Sequence, residues 1–204
     1  MELPFNAAAD RNKEVIGDAL SEYLAQATTV LEIGSGSGQH AVYLCQRFSH
    51  LQWQVTDQSS YLEGLAAVVE QSGCENIQPP TELQAGACVE TGNRVYSFVY
   101  SANTAHIMGI NEIAATFEIV SRCLSAEGLF ALYGPFKENG LHNSDGNIAF
   151  DKTLRSEDPK MGIRDIAELE DMANATGMKL HRQIAMPSNN SCLLYTSPSP
   201  RDRG

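Results

Sequence analysis

The stretch that decides the fold is Val30-Leu31-Glu32-Ile33-Gly34-Ser35-Gly36-Ser37-Gly38-Gln39-His40. Its apolar first half predicts a buried strand, and its alternating glycines predict a turn that opens into a helix. Glycine allows positive φ and lets a ligand approach the backbone closely. Twenty-one residues after Gly36, at the predicted end of the next strand, comes Asp57. A carboxylate at that position can accept hydrogen bonds from both hydroxyls of a ribose.

Two cofactor classes use this geometry, and position 39 separates them. A dinucleotide fingerprint, G-x-G-x-x-G, requires glycine there, where this chain has Gln39. The glycines at 34, 36 and 38, preceded by Glu32, fit instead the E-x-G-x-G-x-G pattern of S-adenosylmethionine enzymes. That cofactor carries an ammonium group and no pyrophosphate, so an acidic side chain beside the turn is electrostatically favourable. A glycine turn without a ligand and a dehydrogenase stay open as alternatives.

Strand-like apolar runs alternate with segments of helical periodicity along most of the chain. Such alternation predicts an α/β fold, with a parallel sheet covered by helices on both faces. The predicted strands lie at 29–33, 52–56, 83–85, 96–101 and 128–133. Helices are predicted at 12–26, around 41–48 and 62–69, at 113–124, and from a capping box of Asp165 and Glu168 to 175.

The composition is that of one globular domain. The chain has 204 residues, and 43% of them are hydrophobic, which argues against disorder. The net charge of −11 repels nucleic-acid phosphates, so we expect no nucleic-acid partner. No apolar run approaches the roughly 18 residues of a membrane span, and no signal peptide is visible. We therefore expect a cytoplasmic protein without a membrane partner. The oligomeric state does not follow from the sequence.

The cysteines, the histidines and the far end of the chain complete this picture. Five cysteines and five histidines are scattered without metal-ligand spacing, so we expect reduced thiols and no metal site. The domain is predicted to span residues 1–194. Residues 195–204 are predicted to be a non-native tail, because the sequence from 193 to 202 resembles translated sequencing-adaptor sequence. Prolines at 198 and 200 cannot donate to a sheet ladder, so the final strand is expected to stop near Tyr195.

Several motifs besides the glycine turn carry a family resemblance. They are Ala9-Asp10-Arg11-Asn12-Lys13, Ser101-Ala102-Asn103 with His106-Ile107, Leu132-Tyr133-Gly134-Pro135-Phe136-Lys137, Phe150-Asp151, Gly162-Ile163-Arg164-Asp165 and Met186-Pro187-Ser188-Asn189-Asn190. Over residues 4–190 the chain resembles the class I S-adenosylmethionine-dependent methyltransferases. More narrowly, it resembles a methyltransferase-like family of unknown function found in bacteria and animals.

This resemblance implies both a fold and a function. The fold is a Rossmann-like, doubly wound sheet of seven strands, mostly parallel with the last strand antiparallel. The function is transfer of a methyl group from S-adenosylmethionine to an acceptor, which we expect to be a small molecule. A non-catalytic binding or scaffold protein that retains the fold is the alternative.

The resemblance and the motif also name site residues. The expected cofactor-binding residues are Asn12, Glu32, Gly34, Ser35, Gly36, Gly38, His40, Asp57, Gln84 and Asn103. The residues expected beside the transferred methyl are Asn103, His106 and Tyr133, whose amide, imidazole and phenol groups can hold a polar acceptor. Each of these three side chains has a structural alternative, in which it only packs or ties loops together.

Two departures and two covering segments complete the predictions. The family carries an acidic residue on the third strand, where this chain has Leu83-Gln84-Ala85, so Gln84 or a backbone group would contact adenine instead. Gly109 and Ile110 stand where the family has a bulky aromatic residue. Residues 11–14 are expected to form part of a lid. The polar loop after the fifth strand is expected to cover the substrate, with His142, Asn143, Asp151 and Arg155.

Overall fold

The structure, a computed structural model, describes residues 3–83 and 95–197. The strands are β1 (Thr29–Ile33), β2 (Gln52–Asp57), β3 (Ile77–Glu82), β4 (Tyr96–Ala102), β5 (Leu124–Gly134), β6 (Phe136–Lys137), β7 (Arg164–Asp165), β8 (Lys179–Met186) and β9 (Asn190–Thr196). Seven of them form one sheet in the order β3-β2-β1-β4-β5-β9-β8, and β6 pairs with β7 in a small second sheet.

The direction of the strands matches the doubly wound fold. Strands β1 to β5 pair in parallel, whereas β9 runs antiparallel to both β5 and β8. The predicted seven-stranded, mostly parallel α/β sheet with an antiparallel last strand is therefore confirmed. In such a sheet the carboxyl ends of the central parallel strands share one edge, where ligands bind. The loops after β1, β2, β4 and β5 converge at that edge.

Helices cover both faces of the sheet. They are α1 (Ala7–Ala19), α2 (Ser21–Gln26), α3 (Gln39–Arg47), α4 (Ser59–Ser72), α5 (Ile110–Cys123), α6 (Asp145–Glu157) and α7 (Ile166–Ala175). One core joins α1, α2, α3 and α4 to the sheet, and the core on the opposite face is built on α5 and α7. No helix within the described ranges is long and apolar enough to cross a membrane.

The first helix differs from its prediction. A single helix over 12–26 is wrong, because α1 ends at Ala19 and α2 begins at Ser21. Between them Leu20 has φ −97° and ψ 1°, outside the helical range. The apolar periodicity runs through the break unchanged, since Ile16, Leu20 and Leu24 are all fully buried. Periodicity therefore could not reveal the break.

The third strand lies earlier in the chain than predicted. It covers Ile77–Glu82 and contains Pro79 and Pro80, whereas most of the predicted range 83–85 lies outside the described residues. Proline lacks the N–H that a central strand must donate, but an edge strand tolerates it. Among the described strands β3 is such an edge strand, because it pairs only with β2. Gln84, expected to contact adenine, and Cys88 lie outside the described residues.

The segment after β5 was expected to be a polar loop, but part of it is helical. It contains the 13-residue helix α6, which begins after the N-cap Ser144. The buried side of this helix carries Asn147 and Leu154, so half of its inward stripe is polar. A partly polar stripe gives little apolar periodicity, which is why the sequence pattern missed the helix.

The last strand reaches Thr196, close to its predicted end. The ring of Tyr195 is fully buried and contacts Phe117 edge-on and Phe130 by stacking, at 5.2 and 5.9 Å between ring centroids. The sheet thus includes two residues beyond the predicted domain limit at 194. Residues 198–204 lie outside the described chain, and the non-native origin of the tail stays a prediction.

Candidate active site

The three positions of the turn after β1 require glycine for different structural reasons. All three have positive φ, at 73° for Gly34, 53° for Gly36 and 73° for Gly38. A Cβ on Gly34 would lie 2.7 Å from Cγ2 of Thr104, and a Cβ on Gly38 would lie 2.9 Å from Leu65. At Gly36 a Cβ would meet no atom of the described residues within 4 Å. Gly34 and Gly38 therefore allow close packing, whereas Gly36 faces open space at the edge of the sheet.

Asp57 fastens the open part of this turn. Its Oδ2 accepts a hydrogen bond of 2.7 Å from the N–H of Gly36, and its Oδ1 accepts one of 2.8 Å from the N–H of Gln58. Each carboxylate oxygen can accept a second hydrogen bond. Asp57, the residue predicted to bind the ribose, thus lies beside Gly36, the one of the three turn glycines that leaves room for a ligand.

Glu32 lies beneath the turn rather than in it. Its Oε2 accepts hydrogen bonds of 3.0 Å from the hydroxyl of Ser35 and from the indole N–H of Trp53. Burial raises the pKa of this carboxyl to about 7, although both hydrogen bonds act in the opposite direction. Within the described residues both donors bond Oε2, which leaves Oε1 able to accept a hydrogen bond or to face a cation.

Ser35 serves the fold with both of its polar groups. Its hydroxyl donates to Glu32 and accepts from the N–H of Thr56 at 3.2 Å, and its own N–H donates to the carbonyl of Thr56. These bonds hold the end of β1 to the end of β2. The side chain of Ser35 therefore ties the two strands together, and the cofactor contact expected of this residue stays a prediction.

His40 connects the first helix to the sheet. Its Nε2 lies 2.7 Å from Oδ1 of Asn12, and its Nδ1 lies 3.2 Å from the hydroxyl of Tyr100. Burial lowers the pKa of His40 to about 4, so the ring is neutral near pH 7. The Asn12 carbonyl can only accept, so Nε2 carries the proton and Nδ1 accepts from Tyr100. Both ring nitrogens are thus occupied by protein, and His40 positions α1 rather than offering a free group to a ligand.

Tyr133 belongs to the same polar network. Its hydroxyl accepts a hydrogen bond of 3.0 Å from the Asn190 amide, and Asn12 also interacts with it. The residue is 2% exposed and packs in the core on the α1 and α3 face. Because side chains alternate along a strand, Leu132 faces the opposite side of the sheet. Through Asn12 and Asn190, Tyr133 connects α1 to the start of β9. The expected place of Tyr133 beside the acceptor stays a prediction.

His106 lies on the turn after β4, at the carboxyl edge of the sheet. Its ring meets Phe150 of α6 edge-on at 5.2 Å, and a Cβ on Gly134 would lie 3.9 Å from its Nδ1. Burial, followed by the nearby charge of Arg164, lowers the pKa of His106 to about 4. Asn103 begins this turn with φ 59°, and its N–H donates to the carbonyl of Tyr133 at 2.9 Å. The structure therefore groups Asn103 and His106 at the ends of β4 and β5.

Helix α6 covers this side of the site and is fastened by Asp151. Its Oδ1 accepts a hydrogen bond of 2.6 Å from the N–H of Ile163, and its Oδ2 accepts one of 3.1 Å from Arg155. His142 lies 3.4 Å from the same Oδ2. These contacts explain why polar residues recur between β5 and β7, because they hold helix α6 to the residues that lead into β7.

Comparison with known proteins identifies the family. A family model described as "Protein of unknown function (DUF938)" matches residues 3–197. The chain belongs to this family. The predicted resemblance to a methyltransferase-like family of unknown function is thereby confirmed.

Solved structures share the fold across nearly the whole chain. An O-methyltransferase family protein from Burkholderia thailandensis matches with a TM-score of 0.81 at 12% identity, over 95% of this chain and 59% of its own. A putative O-methyltransferase from Nostoc punctiforme PCC 73102 matches with 0.79 at 16% identity, over 92% and 56%. Human N-acetylserotonin methyltransferase in complex with SAM matches with 0.76 at 11% identity, over 92% and 52%. At such identities the likeness shows a shared fold, and this chain spans little more than half of each protein.

Some residues with a clear place in the site had no predicted role. Trp53 holds Glu32, Tyr100 holds His40, and Asn190 holds Tyr133. Arg164 donates to the backbone of the turn that carries His106. Asn190 and Arg164 stand within motifs that carried the family resemblance, so a signal was present without a function attached. Trp53 and Tyr100 are indistinguishable from core aromatics in the sequence.

Proposed function

We propose that this chain binds S-adenosylmethionine and transfers its methyl group to a small-molecule acceptor. The observation that carries the proposal is the pairing of Asp57 with Gly36 at the open edge of the sheet. A ribose beside Gly36 could donate both hydroxyls to the remaining lone pairs of Asp57. The likeness to methyltransferase structures supports the same cofactor.

Further groups around the turn suit this cofactor. The carboxylate of Glu32 lies beneath the turn and would favour the ammonium group of the methionine moiety. A cation there would lower the raised pKa of Glu32 and keep the carboxylate charged. The Asn103 amide, on the turn after β4, lies at the same sheet edge and could bind the cofactor or the acceptor.

A dinucleotide fits the turn poorly. In dinucleotide-binding proteins the pyrophosphate sits at the N-terminus of the helix that follows the glycine turn. At that position Gln39 accepts hydrogen bonds from the Asn6 N–H and the Ser37 hydroxyl, at 2.6 and 2.8 Å. Its amide also lies 3.5 Å from the carboxylate of Asp10, which disfavours an additional anion. We therefore propose no dehydrogenase activity.

On the acceptor side the proposal assigns alignment to Asn103 and His106. The bound cofactor would supply a methyl group on a sulfonium, which is already a good leaving group. Alignment alone can then contribute about 7–11 kcal/mol. A neutral imidazole at His106 can hold an acceptor hydroxyl and take up its proton as the oxygen is methylated. Phe150, 38% exposed beside His106, would give the acceptor an apolar contact.

Calorimetric titration tests the cofactor, and a turnover assay tests the reaction. We expect saturable binding of S-adenosylmethionine and of its demethylated product, and no saturable binding of NAD at micromolar concentration. Turnover is then measured with a panel of small hydroxyl compounds. Tight cofactor binding without turnover would favour the scaffold alternative, and absence of cofactor binding by the folded protein would overturn the proposal.

A further inference from the structure

Arg164 is a buried cation that forms no ion pair with a carboxylate of the described residues, although the charges of Glu168 and Asp151 act on it from further away. It lies in β7 and is 8% exposed, and none of the ion pairs within the described ranges includes it. A buried guanidinium is costly unless hydrogen bonds satisfy it. The hydrogen-bond partners of Arg164 therefore indicate what this side chain does.

Those partners are backbone carbonyls, most of them on the turn after β4. Nε donates to the carbonyl of Ala105 at 3.4 Å, and Nη2 donates to the carbonyl of Met108 at 2.6 Å and also to that of Lys160. Two residues earlier, the N–H of Gly162 donates to the carbonyl of His106 at 2.9 Å. The segment that ends in Arg164 thus occupies the carbonyls at 105, 106 and 108.

The remaining bonds of the turn are internal. The carbonyl of Thr104 accepts from the N–H groups of Ile107 and Met108, at 3.0 and 3.2 Å. With these bonds and those of Arg164, the backbone on both sides of His106 has little freedom to rotate. A planar guanidinium is suited to this task because its donors form a rigid fork.

We infer that Arg164 is a positioning residue, which fixes the turn after β4 so that His106 presents its ring to the acceptor. The inference rests on the proposed function, in which His106 contacts the acceptor. No sequence motif or fold likeness assigns a purpose to this arginine.

The charge of Arg164 acts on the same ring. The elements around His106 contribute a guanidinium from β7, the apolar Phe150 from α6, and Gly134 from β5, which has no side chain. After burial, the guanidinium is the cause that lowers the pKa of His106. Loss of Arg164 should therefore change both the orientation of the ring and its titration, whereas a distant structural defect would not.

Histidine nuclear magnetic resonance on the full chain tests this inference without an acceptor. Spectra of wild type, Arg164→Met, Arg164→Lys and the exposed control Arg122→Met are recorded across acid to neutral pH, with His106→Asn to assign the signal. In Arg164→Met we expect the titration midpoint of His106 to rise by about one pH unit or more. In Arg164→Lys, which keeps the charge but not the fork, we expect a low midpoint with shifted amide signals at 105–108. The control should match wild type.

The outcomes separate this inference from the proposed function. An unchanged His106 midpoint with unchanged amide signals at 105–108 in a folded Arg164 variant would overturn it. If Arg164→Met does not fold, unchanged turn signals in Arg164→Lys have the same consequence. S-adenosylmethionine affinity is measured on the same samples and should stay within about threefold of wild type, because Arg164 does not contact the glycine turn. Failure of wild type to bind the cofactor would contradict the proposed function and leave the test of Arg164 intact.

Discussion

The carboxylate of Asp57 and the backbone amide of Gly36 are joined by a hydrogen bond of 2.7 Å, although 21 residues separate them in the chain. A bond from an N–H to a charged carboxylate is stronger than one between neutral groups. It fixes the open glycine and the carboxylate proposed to bind the ribose as one unit at the end of two neighbouring strands. A change in either residue should therefore affect ligand binding more than it affects the sheet.

Replacing Asp57 by Ala tests the carboxylate. We expect S-adenosylmethionine to bind at least about tenfold more weakly, because hydrogen bonds to a charged group contribute about 1.5–3 kcal/mol each. Isothermal titration calorimetry on the folded variant measures this. Glu70→Ala, which removes an exposed carboxylate from α4, is the control and should bind as wild type does. Unchanged affinity in Asp57→Ala would remove Asp57 from the cofactor site.

Gly36 and Gly73 form a matched pair for testing the open glycine. Both have positive φ, at 53° and 65°, and a Cβ on either would have no atom within 4 Å in the part of the chain that the structure describes. Alanine at either position should cost about 1–2 kcal/mol of stability, because the left-handed conformation is strained for a residue with Cβ. Only Gly36→Ala should weaken cofactor binding, by about tenfold or more, since only its Cβ enters the ligand's space. Equal affinities in the two variants would contradict the assignment.

The fold was predictable because the decisive signals are local. The glycine turn and the alternation of strands with helices are visible in short windows, and both led to the correct sheet. The predictions that failed, the bounds of β3 and of α1, depend on the elements that pack beside these segments in the fold. Pro79 and Pro80 look like strand breakers until β3 is known to be an edge strand. Leu20 continues a perfect apolar stripe, so nothing in the pattern shows that the helix ends there.

The sequence places the candidate site residues at the ends of strands but says little about the orientation of their side chains, and their cofactor and acceptor roles stay predictions. Asp57 ends β2 near its predicted place, and its hydrogen bond to the N–H of Gly36 is an addition from the structure. Tyr133 stands at the expected end of β5 but turns to the α1 side, because orientation follows the pleat of the strand rather than its position. His40 was expected to contact the cofactor, yet both of its nitrogens bond protein groups, Asn12 and Tyr100. Such pairings join residues far apart in the chain, and no short-range pattern encodes them.

The buried carboxyl of Glu32 should make stability depend on pH. Its pKa is raised from 4.5 to about 7, so the folded protein holds this proton over a range where the unfolded chain releases it. Its contribution to stability therefore falls as pH rises from the unfolded to the folded value. Glu32→Gln removes this penalty, and its stability relative to wild type should grow by up to roughly 3 kcal/mol between about pH 5 and pH 8.

Urea unfolding of both proteins at several pH values measures that difference. The lowered pKa values of His40 and His106 reduce stability as pH falls below 6.5, but they act on both proteins and cancel. Glu118→Gln, an exposed change on α5, should show a constant difference from wild type. A constant difference for Glu32→Gln as well would show that Glu32 is not held protonated.

Asn103 and His106 can be tested against their structural alternative. If they align the acceptor, replacing either should lower turnover more than cofactor affinity, and neither change alone need abolish turnover. Asn103 has φ 59°, so Asn103→Ala adds backbone strain, whereas Asn103→Gly removes the side chain without it. Asn103→Gly and His106→Ala are compared by cofactor titration, thermal melt and, with an acceptor in hand, rate. A lower melting temperature with wild-type rates would assign both to loop structure.

The hydroxyl of Tyr195 offers a test of the last strand. It is buried, and no hydrogen-bond partner lies near it in the part of the chain that the structure describes. Burial also raises the pKa of this phenol. An unpaired buried hydroxyl costs about 1–3 kcal/mol, so Tyr195→Phe should stabilise the protein by about 1 kcal/mol while keeping the ring contacts to Phe117 and Phe130.

Tyr100→Phe is the matched control, because it removes an equally buried hydroxyl that has a partner. The hydroxyl of Tyr100 bonds His40, so its loss should destabilise the protein by about 1 kcal/mol, opposite in sign to Tyr195→Phe. Thermal and urea unfolding of the two variants against wild type measure both effects. If Tyr195→Phe destabilised as much as Tyr100→Phe, the Tyr195 hydroxyl would have a partner such as a buried water, and β9 would be better satisfied than its contacts indicate.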